Sequence, residues 1–319
     1  LIAVPAAALL YKAGVPKTCL QLLPGEGTVV GPVLCSAPNV SGVCFTGSTA
    51  TAQAINRVMA ESLPPQGPLI AETGGLNAMI VDSTALLEQA VQDVVVSAFQ
   101  SAGQRCSALR MLYVQSDIAD AFEHMLYGAM QALVVGPPEA ADCDVGPVID
   151  AAAQARVSAH IARHKVLFQN SAPEIGYFVA PTILSVSGMS DLHEEIFGPV
   201  LHLARYDAGD LDRVIDDINA SGYGLTFGFH SRIDDRVQKV VSRVNVGNLY
   251  INRNQIGAVV GSQPFGGHGL SGTGPHRRIE PLPLAAQVTR AVYGPRGRNP
   301  CTKRPRHGML RHCRRGYDV

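Results

Sequence analysis

Val43-Cys44-Phe45-Thr46-Gly47-Ser48-Thr49-Ala50-Thr51-Ala52 is the stretch that decides the fold. Val43 to Thr46 reads as a short strand, Gly47-Ser48-Thr49 as a turn, and Ala54, Ile55, Val58, Met59 and Leu63 as a helical apolar pattern. A strand passing directly into a helix is the βα unit of a parallel sheet. Downstream, Leu69 to Ala71 and Ala78 to Val81 are short apolar strands flanking Glu72-Thr73-Gly74-Gly75. Asp82-Ser83-Thr84 then offers N-cap side chains to an amphipathic helix with apolar residues at 86, 87, 90, 91, 94, 95, 98 and 99, leading toward Cys106. Arg110 to Val114 reads as a strand and Ile118 to Leu133 as a second helix. Upstream, Ala3 to Ala13 is helical and ends at Gly14, and Leu20 to Leu23 reads as a short buried strand stopped by Pro24-Gly25. The alternation predicts an α/β fold.

The 319 residues allow about two domains at roughly 150 residues each. No apolar run approaches the ~18 residues of a membrane span, and Leu1 to Leu10 lacks a basic leader and a cleavage site. Seven scattered cysteines with no CxxC pair point to neither a disulfide framework nor a zinc site, so a reducing cytoplasm is the expected compartment. The zero net charge hides a split: residues 276–319 carry 11 Lys+Arg against 2 Asp+Glu, a net +9, which leaves −9 on residues 1–275.

Taken singly, the chemical candidates are ambiguous. Cys106, in Gly103-Gln104-Arg105-Cys106-Ser107, is either a small buried hydrophobe or a nucleophile whose thiolate Arg105 would favour. Glu72 is either a solvated strand end or a base, with two glycines after it that let the backbone bend and other groups come close. Gly47-Ser48 is either an ordinary capped turn or an anion site at a helix start. His160 and His164 lie four apart on an expected helix with no third ligand near in sequence, which reads as a solvated face, and no metal is expected.

Five motifs occur in one order: Phe45-Thr46-Gly47-Ser48-Thr49, Glu72-Thr73-Gly74-Gly75, Gly103-Gln104-Arg105-Cys106, Glu194-Glu195-Ile196-Phe197-Gly198-Pro199-Val200 and Pro264-Phe265-Gly266-Gly267. Together they resemble the aldehyde dehydrogenase superfamily over residues 1 to about 275. Gly224 to Arg232 and Ile256 to Phe265 are most similar to the pyrroline-5-carboxylate (glutamate γ-semialdehyde) dehydrogenases, especially the dehydrogenase module of bifunctional proline-utilisation enzymes. The resemblance implies an aldehyde dehydrogenase-like fold: a partial Rossmann-like cofactor domain over 1–73, a catalytic α/β domain over 74–275 and a basic, Pro-rich tail without order over 276–319.

It also implies the chemistry. Cys106 forms a thioester with glutamate γ-semialdehyde, NAD takes the hydride, and Glu72, its pKa raised beside an apolar strand end, activates the hydrolytic water. A base at Glu72 argues against coenzyme A-acylating relatives. Gly47 and Ser48 hold the cofactor pyrophosphate without a GxGxxG fingerprint, Glu195 the nicotinamide ribose, and Phe197 packs beside the nicotinamide. Ser107, Gly257 and Ala258 grip the substrate α-carboxylate. A homo-oligomer is implied from intact relatives, with neither a membrane nor a nucleic-acid partner.

The pattern departs from the superfamily at both ends. The upstream segments with the oxyanion asparagine and the adenosine-contacting lysine have no counterpart, which leaves NAD against NADP open and makes a non-catalytic remnant the rival reading, beside an aldehyde dehydrogenase with a different substrate. After Gly274-Pro275, His276-Arg277-Arg278 opens a stretch with prolines at 281, 283, 295, 300 and 305. A frameshift accounts for so abrupt a change. A basic tail for nucleic acid or acidic lipid is the alternative, and the lack of any pattern placing the arginines on one face disfavours it. No interface strand is expected there, and little turnover from this chain alone.

Overall fold

The computed structural model of the chain describes residues 2–64, 67–256, 258, 264–274 and 290–293. Its first part holds α1 (Ala3–Lys12), α2 (Gly27–Cys35), β1 (Val43–Thr46) and α3 (Thr49–Ser62). β1 pairs in parallel with β2 (Leu69–Glu72) in a sheet of their own. Behind this pair Cys35, Met59 and Leu63 make only a small buried cluster, and Leu9, Val29 and Val33 stay exposed.

The main sheet contains β3 (Ala78–Val81), β4 (Met111–Gln115), β5 (Lys165–Gln169), β6 (Thr182–Ser185), β7 (Val200–Tyr206), β9 (Thr226–His230), β10 (Asn248–Ile251) and β12 (Arg290–Tyr293). Their order is β12-β10-β9-β3-β4-β7-β6-β5, with every pair parallel except β5 and β6. A separate antiparallel ribbon joins β8 (Tyr223–Gly224) to β11 (His268–Gly269).

Helices cover both faces of the sheet, which is why β3 is buried at all four positions and reads as a continuous apolar run. Met79 and Val81 face α4 (Leu87–Phe99), α5 (Ser116–Gln131) and α6 (Ala151–Ile161). Ala78 and Ile80, one residue out of phase, face α7 (Leu211–Ala220) and α8 (Asp234–Arg243). Parallel neighbours must return over the sheet through such helices.

Four local expectations are corrected. Leu20 to Leu23 form no strand, and Leu22 and Leu23 are exposed, because no neighbouring strand pairs with them. Asp82 does not cap α4, whose N-cap position is Leu86; it binds Thr84 and Ser231 instead. Arg110 lies just before β4 rather than in it. Within the stretch expected to lack order, residues 290–293 form β12 beside β10 of the same chain, in a proline-free window between Pro283 and Pro295.

Candidate active site

β3, β4 and β7 are adjacent and parallel, so the segments that enter them meet at one edge of the sheet. Those segments are 72–77, 103–110 and 195–199, which carry Glu72, Cys106 and Glu195. The site thus sits at the strands' N-terminal ends, on the edge opposite to that favoured by ligands in open α/β sheets.

Cys106 is presented by an unusual turn. Past α4, Ser101, Ala102 and Gly103 adopt φ of 58°, 53° and 65°, three left-handed residues in a row. A Cβ on Gly103 would collide with the carbonyl of Gly198, so glycine is required there for space as well as for backbone angle. Asn77, buried just before β3, fixes the far side of the turn: its Nδ2 donates to the carbonyls of Cys106 (2.7 Å) and Ala108 (2.9 Å). Its Oδ1 accepts from Thr226 N–H at 3.1 Å. Only its polarity, beside the apolar Ala78 to Val81 run, marks it in the sequence.

Glu72 ends β2 and is half-buried. Its carbonyl accepts from Gly47 N–H (3.1 Å), and Thr73 N–H donates to Ser271 O (3.1 Å). Desolvation pushes the Glu72 carboxyl up to about 7. The two glycines that follow it are not bent into left-handed angles; they serve close approach. A Cβ on Gly74 would strike the Glu195 carboxylate, and one on Gly75 the Asn77 amide. Gly75 N–H also donates to Glu195, which joins the Glu72 motif to the Glu195 motif directly.

The Cys106 thiol is pushed up, first by burial and then by repulsion from the carboxylates of Glu195 and Glu72, against the N–H groups of Ser107 and Cys106. The expectation that Arg105 supplies the favourable charge is corrected. Arg105 Nε donates to Ser101 Oγ at 3.1 Å, and the cation whose charge reaches Cys106 is the wholly buried Arg110. Arg110 escaped the sequence reading because an arginine at the start of an apolar strand resembles a solvated boundary residue. Its side chain donates to Arg105 O (3.1 Å), Gly198 O (3.2 Å) and Glu195 Oε1 (3.4 Å), and it lies 5.5 Å from the Phe197 ring centroid.

Of the remaining expected residues, Gly47 and Ser48 are exposed at the start of α3, where Ser48 Oγ accepts from Thr51 N–H at 3.2 Å. The N–H groups of the helix's first turn have no helical acceptor, a setting suited to an anion. Ser107 is buried, and its carbonyl accepts from Thr226 Oγ1 at 3.2 Å. Ala258 is exposed, and Gly257 lies outside the described residues.

The reading of His160 and His164 as a solvated pair is corrected as well. His202, on β7, is buried and brings its Nε2 to 2.8 Å from His160 Nε2, while its Nδ1 donates to Arg110 O at 2.8 Å. His164 packs on His160 with ring centroids 4.3 Å apart. Because a carbonyl can only accept, the His202 proton sits on Nδ1, so in its neutral form Nε2 accepts from His160. No cluster of described residues has the geometry of a metal site.

The aldehyde dehydrogenase family profile matches residues 1–286. The chain belongs to the aldehyde dehydrogenase family. Among curated aldehyde dehydrogenase relatives, it is 52% identical over 290 residues to the bifunctional protein PutA of Klebsiella aerogenes, covering 86% of this chain and 22% of that protein. It is 35% identical over 275 residues to the 1-pyrroline-5-carboxylate dehydrogenase of Bacillus subtilis (strain 168), covering 83% and 53%. The crystal structure of a bifunctional proline utilization A protein superposes with a TM-score of 0.83 at 55% identity, over 86% of this chain and 28% of that one. A 1-pyrroline-5-carboxylate dehydrogenase from Thermus with bound NAD gives 0.77 at 35% identity, over 83% and 53%. The chain therefore spans about a fifth of the PutA relatives and about half of the shorter dehydrogenases.

Proposed function

We propose that this chain carries the catalytic centre of an NAD-dependent dehydrogenase that oxidises L-glutamate γ-semialdehyde to L-glutamate. The observation that carries the reading is the meeting of Cys106 with Glu72 and Glu195 at one sheet edge, each close enough for its charge to act on the thiol. The separate β1–β2 sheet supports a division near residue 73 between a cofactor-binding part and a catalytic part.

The residues fit a dinucleotide: an exposed helix start at Gly47-Ser48 for its pyrophosphate, and the Glu195 carboxylate as acceptor for ribose hydroxyls with the Phe197 ring beside it. NAD, when bound there, takes up the hydride released from the aldehyde carbon. Having given up its thiol proton to solvent, Cys106 Sγ attacks that carbon and is left bound to it as a thioester once the hydride is gone. Glu72 accepts a proton from the water that attacks the thioester carbonyl; the C–S bond then breaks and the carboxylic acid leaves. With a carboxyl that titrates near neutrality, Glu72 is basic enough to take that proton and weak enough to give it up. Ser107, with its carbonyl engaged by Thr226, and Ala258 remain the described part of the α-carboxylate anchor.

Appearance of NADH is the test, followed by its absorbance with glutamate semialdehyde and with simple aliphatic aldehydes. It is run on this chain and on the chain joined to the upstream segment of a full-length relative. Turnover of the semialdehyde that vanishes in Cys106→Ala supports the reading. Equal turnover of both aldehydes removes the carboxylate anchor, and turnover surviving Cys106→Ala removes the nucleophile.

A further inference from the structure

A fully buried guanidinium is costly to maintain unless its donors are used. Arg110 uses its two terminal nitrogens on two segments at once and leaves only its Nε without a hydrogen-bond partner. One donor goes to the turn carrying Cys106, through Arg105 O, and two go to the 195–199 segment, through Gly198 O and Glu195 Oε1, with Phe197 beside the guanidinium. Behind it, the Arg110 carbonyl is held by His202 Nδ1, and its N–H donates to Asn77 O at 2.9 Å. Arg110 thereby ties the Cys106 turn to both Glu195 and Phe197.

We propose that Arg110 is a positioning residue for the Cys106 reaction, holding Glu195 and Phe197 at fixed spacing from the nucleophile and balancing the charge of Glu195 beside it. The proposal rests on the reading of Glu195 and Phe197 as cofactor-side residues. The charged groups around the thiol are Glu195, Glu72 and Arg110, and Arg156 also acts on Glu195. Without Arg110 two carboxylates face Cys106 with no cation of the same burial to offset them. Arginine suits the post because its planar fork reaches several acceptors at once, where lysine offers a point charge.

The experiment follows iodoacetamide alkylation of the Cys106 peptide by mass spectrometry across pH, together with NADH binding by fluorescence. It compares the parent chain with Arg110→Met, Arg110→Lys and Arg110→Met/Glu195→Gln. In Arg110→Met the alkylation midpoint rises by about one pH unit or more, the effect of losing one opposite charge at short range. Removing the unbalanced carboxylate in the double variant reverses most of that rise. Arg110→Lys keeps the parent midpoint but binds NADH several-fold more weakly. A purely structural arginine would lower folding without moving the midpoint. An unmoved midpoint in Arg110→Met, or a double variant identical to the single one, overturns the proposal. Should Arg110→Met not fold, Arg110→Lys decides: NADH binding equal to the parent's overturns the positioning role. A parent chain that binds no NADH defeats the cofactor reading instead, and the alkylation midpoints still judge Arg110.

Discussion

Glu72 has a carboxyl pushed up to about 7 by burial, so its basic form is lost as pH falls below neutrality. Deacylation is therefore expected to rise with pH through about 7 and level off above it, while NADH release in the first turnover follows a different profile. Glu72→Gln should keep that first-turnover burst and slow the steady state by about 10²–10⁴-fold, the usual worth of a positioned base; rapid-mixing kinetics separates the two phases. A burst lost together with the steady state would remove Glu72 from the hydrolytic step. The same shift acts on stability with a definite sign. A carboxyl raised in the folded state favours folding below its unfolded value of 4.5 and loses that advantage as pH rises through 7. Glu72→Gln should accordingly gain thermal stability relative to the parent at pH about 8 and not at pH about 4. Two positions away, Gly74→Ala places a methyl group on the Glu195 carboxylate. Overpacking of this kind costs about 1–3 kcal/mol, and NADH titration should show weakened binding even where the fold survives.

At the level of elements, the turn from α4 into Cys106 stores backbone strain in two residues that have a Cβ, Ser101 and Ala102. Left-handed angles cost an L-residue about 1–2 kcal/mol. Ser101→Gly is expected to hold or raise stability in chemical denaturation, and the β-branched Ser101→Val to lower it by about 1–2 kcal/mol. Equal midpoints for the two variants would mean that the turn is not strained. This turn also shows where sequence reading stops. α4 and β3 were legible because their apolar spacing follows the helical and sheet periods, and βα alternation carried the parallel sheet with them. Ser101 and Ala102 have no feature that announces a left-handed angle. The contact between Gly74 and Glu195 was hidden for a different reason. Glycine advertises that something comes close, but only the adjacency of β3, β4 and β7 identifies it. Arg110 and His202 were missed likewise, the first looking like a polar residue bordering a strand and the second like a polar interruption within one, until the sheet buries both.

Taken as a whole, the molecule buries several histidines as neutral rings. Burial pushes His160, His202 and His230 down to about 4, helped at His160 and His202 by neighbouring positive groups and opposed at His230 by Asp82. His230 lies 3.6 Å from Asp93, yet burial also raises Asp93, so the contact is not an established ion pair. For a base depressed in the folded state, stability is complete above the unfolded value of 6.5 and is lost as pH falls toward 4. Thermal denaturation between those limits should show a steep fall, and His202→Gln should make it shallower; an unchanged slope would show that His202 titrates alike in both states. A last consequence follows from the way β2 is held. Ala71 N–H donates to Thr273 Oγ1 at 3.0 Å and Thr273 N–H returns to Ala71 O at 2.9 Å, across 202 positions of chain. During synthesis at about 5–20 residues per second, the segment bearing Glu72 emerges some 10–40 seconds before the segment that fastens it. For that interval β2 is held by β1 alone, through pairs such as Thr46 with Glu72, and its fastening to the 271–273 segment is still to come. The strand that carries Glu72 is thus completed only when nearly all of the main sheet has been made.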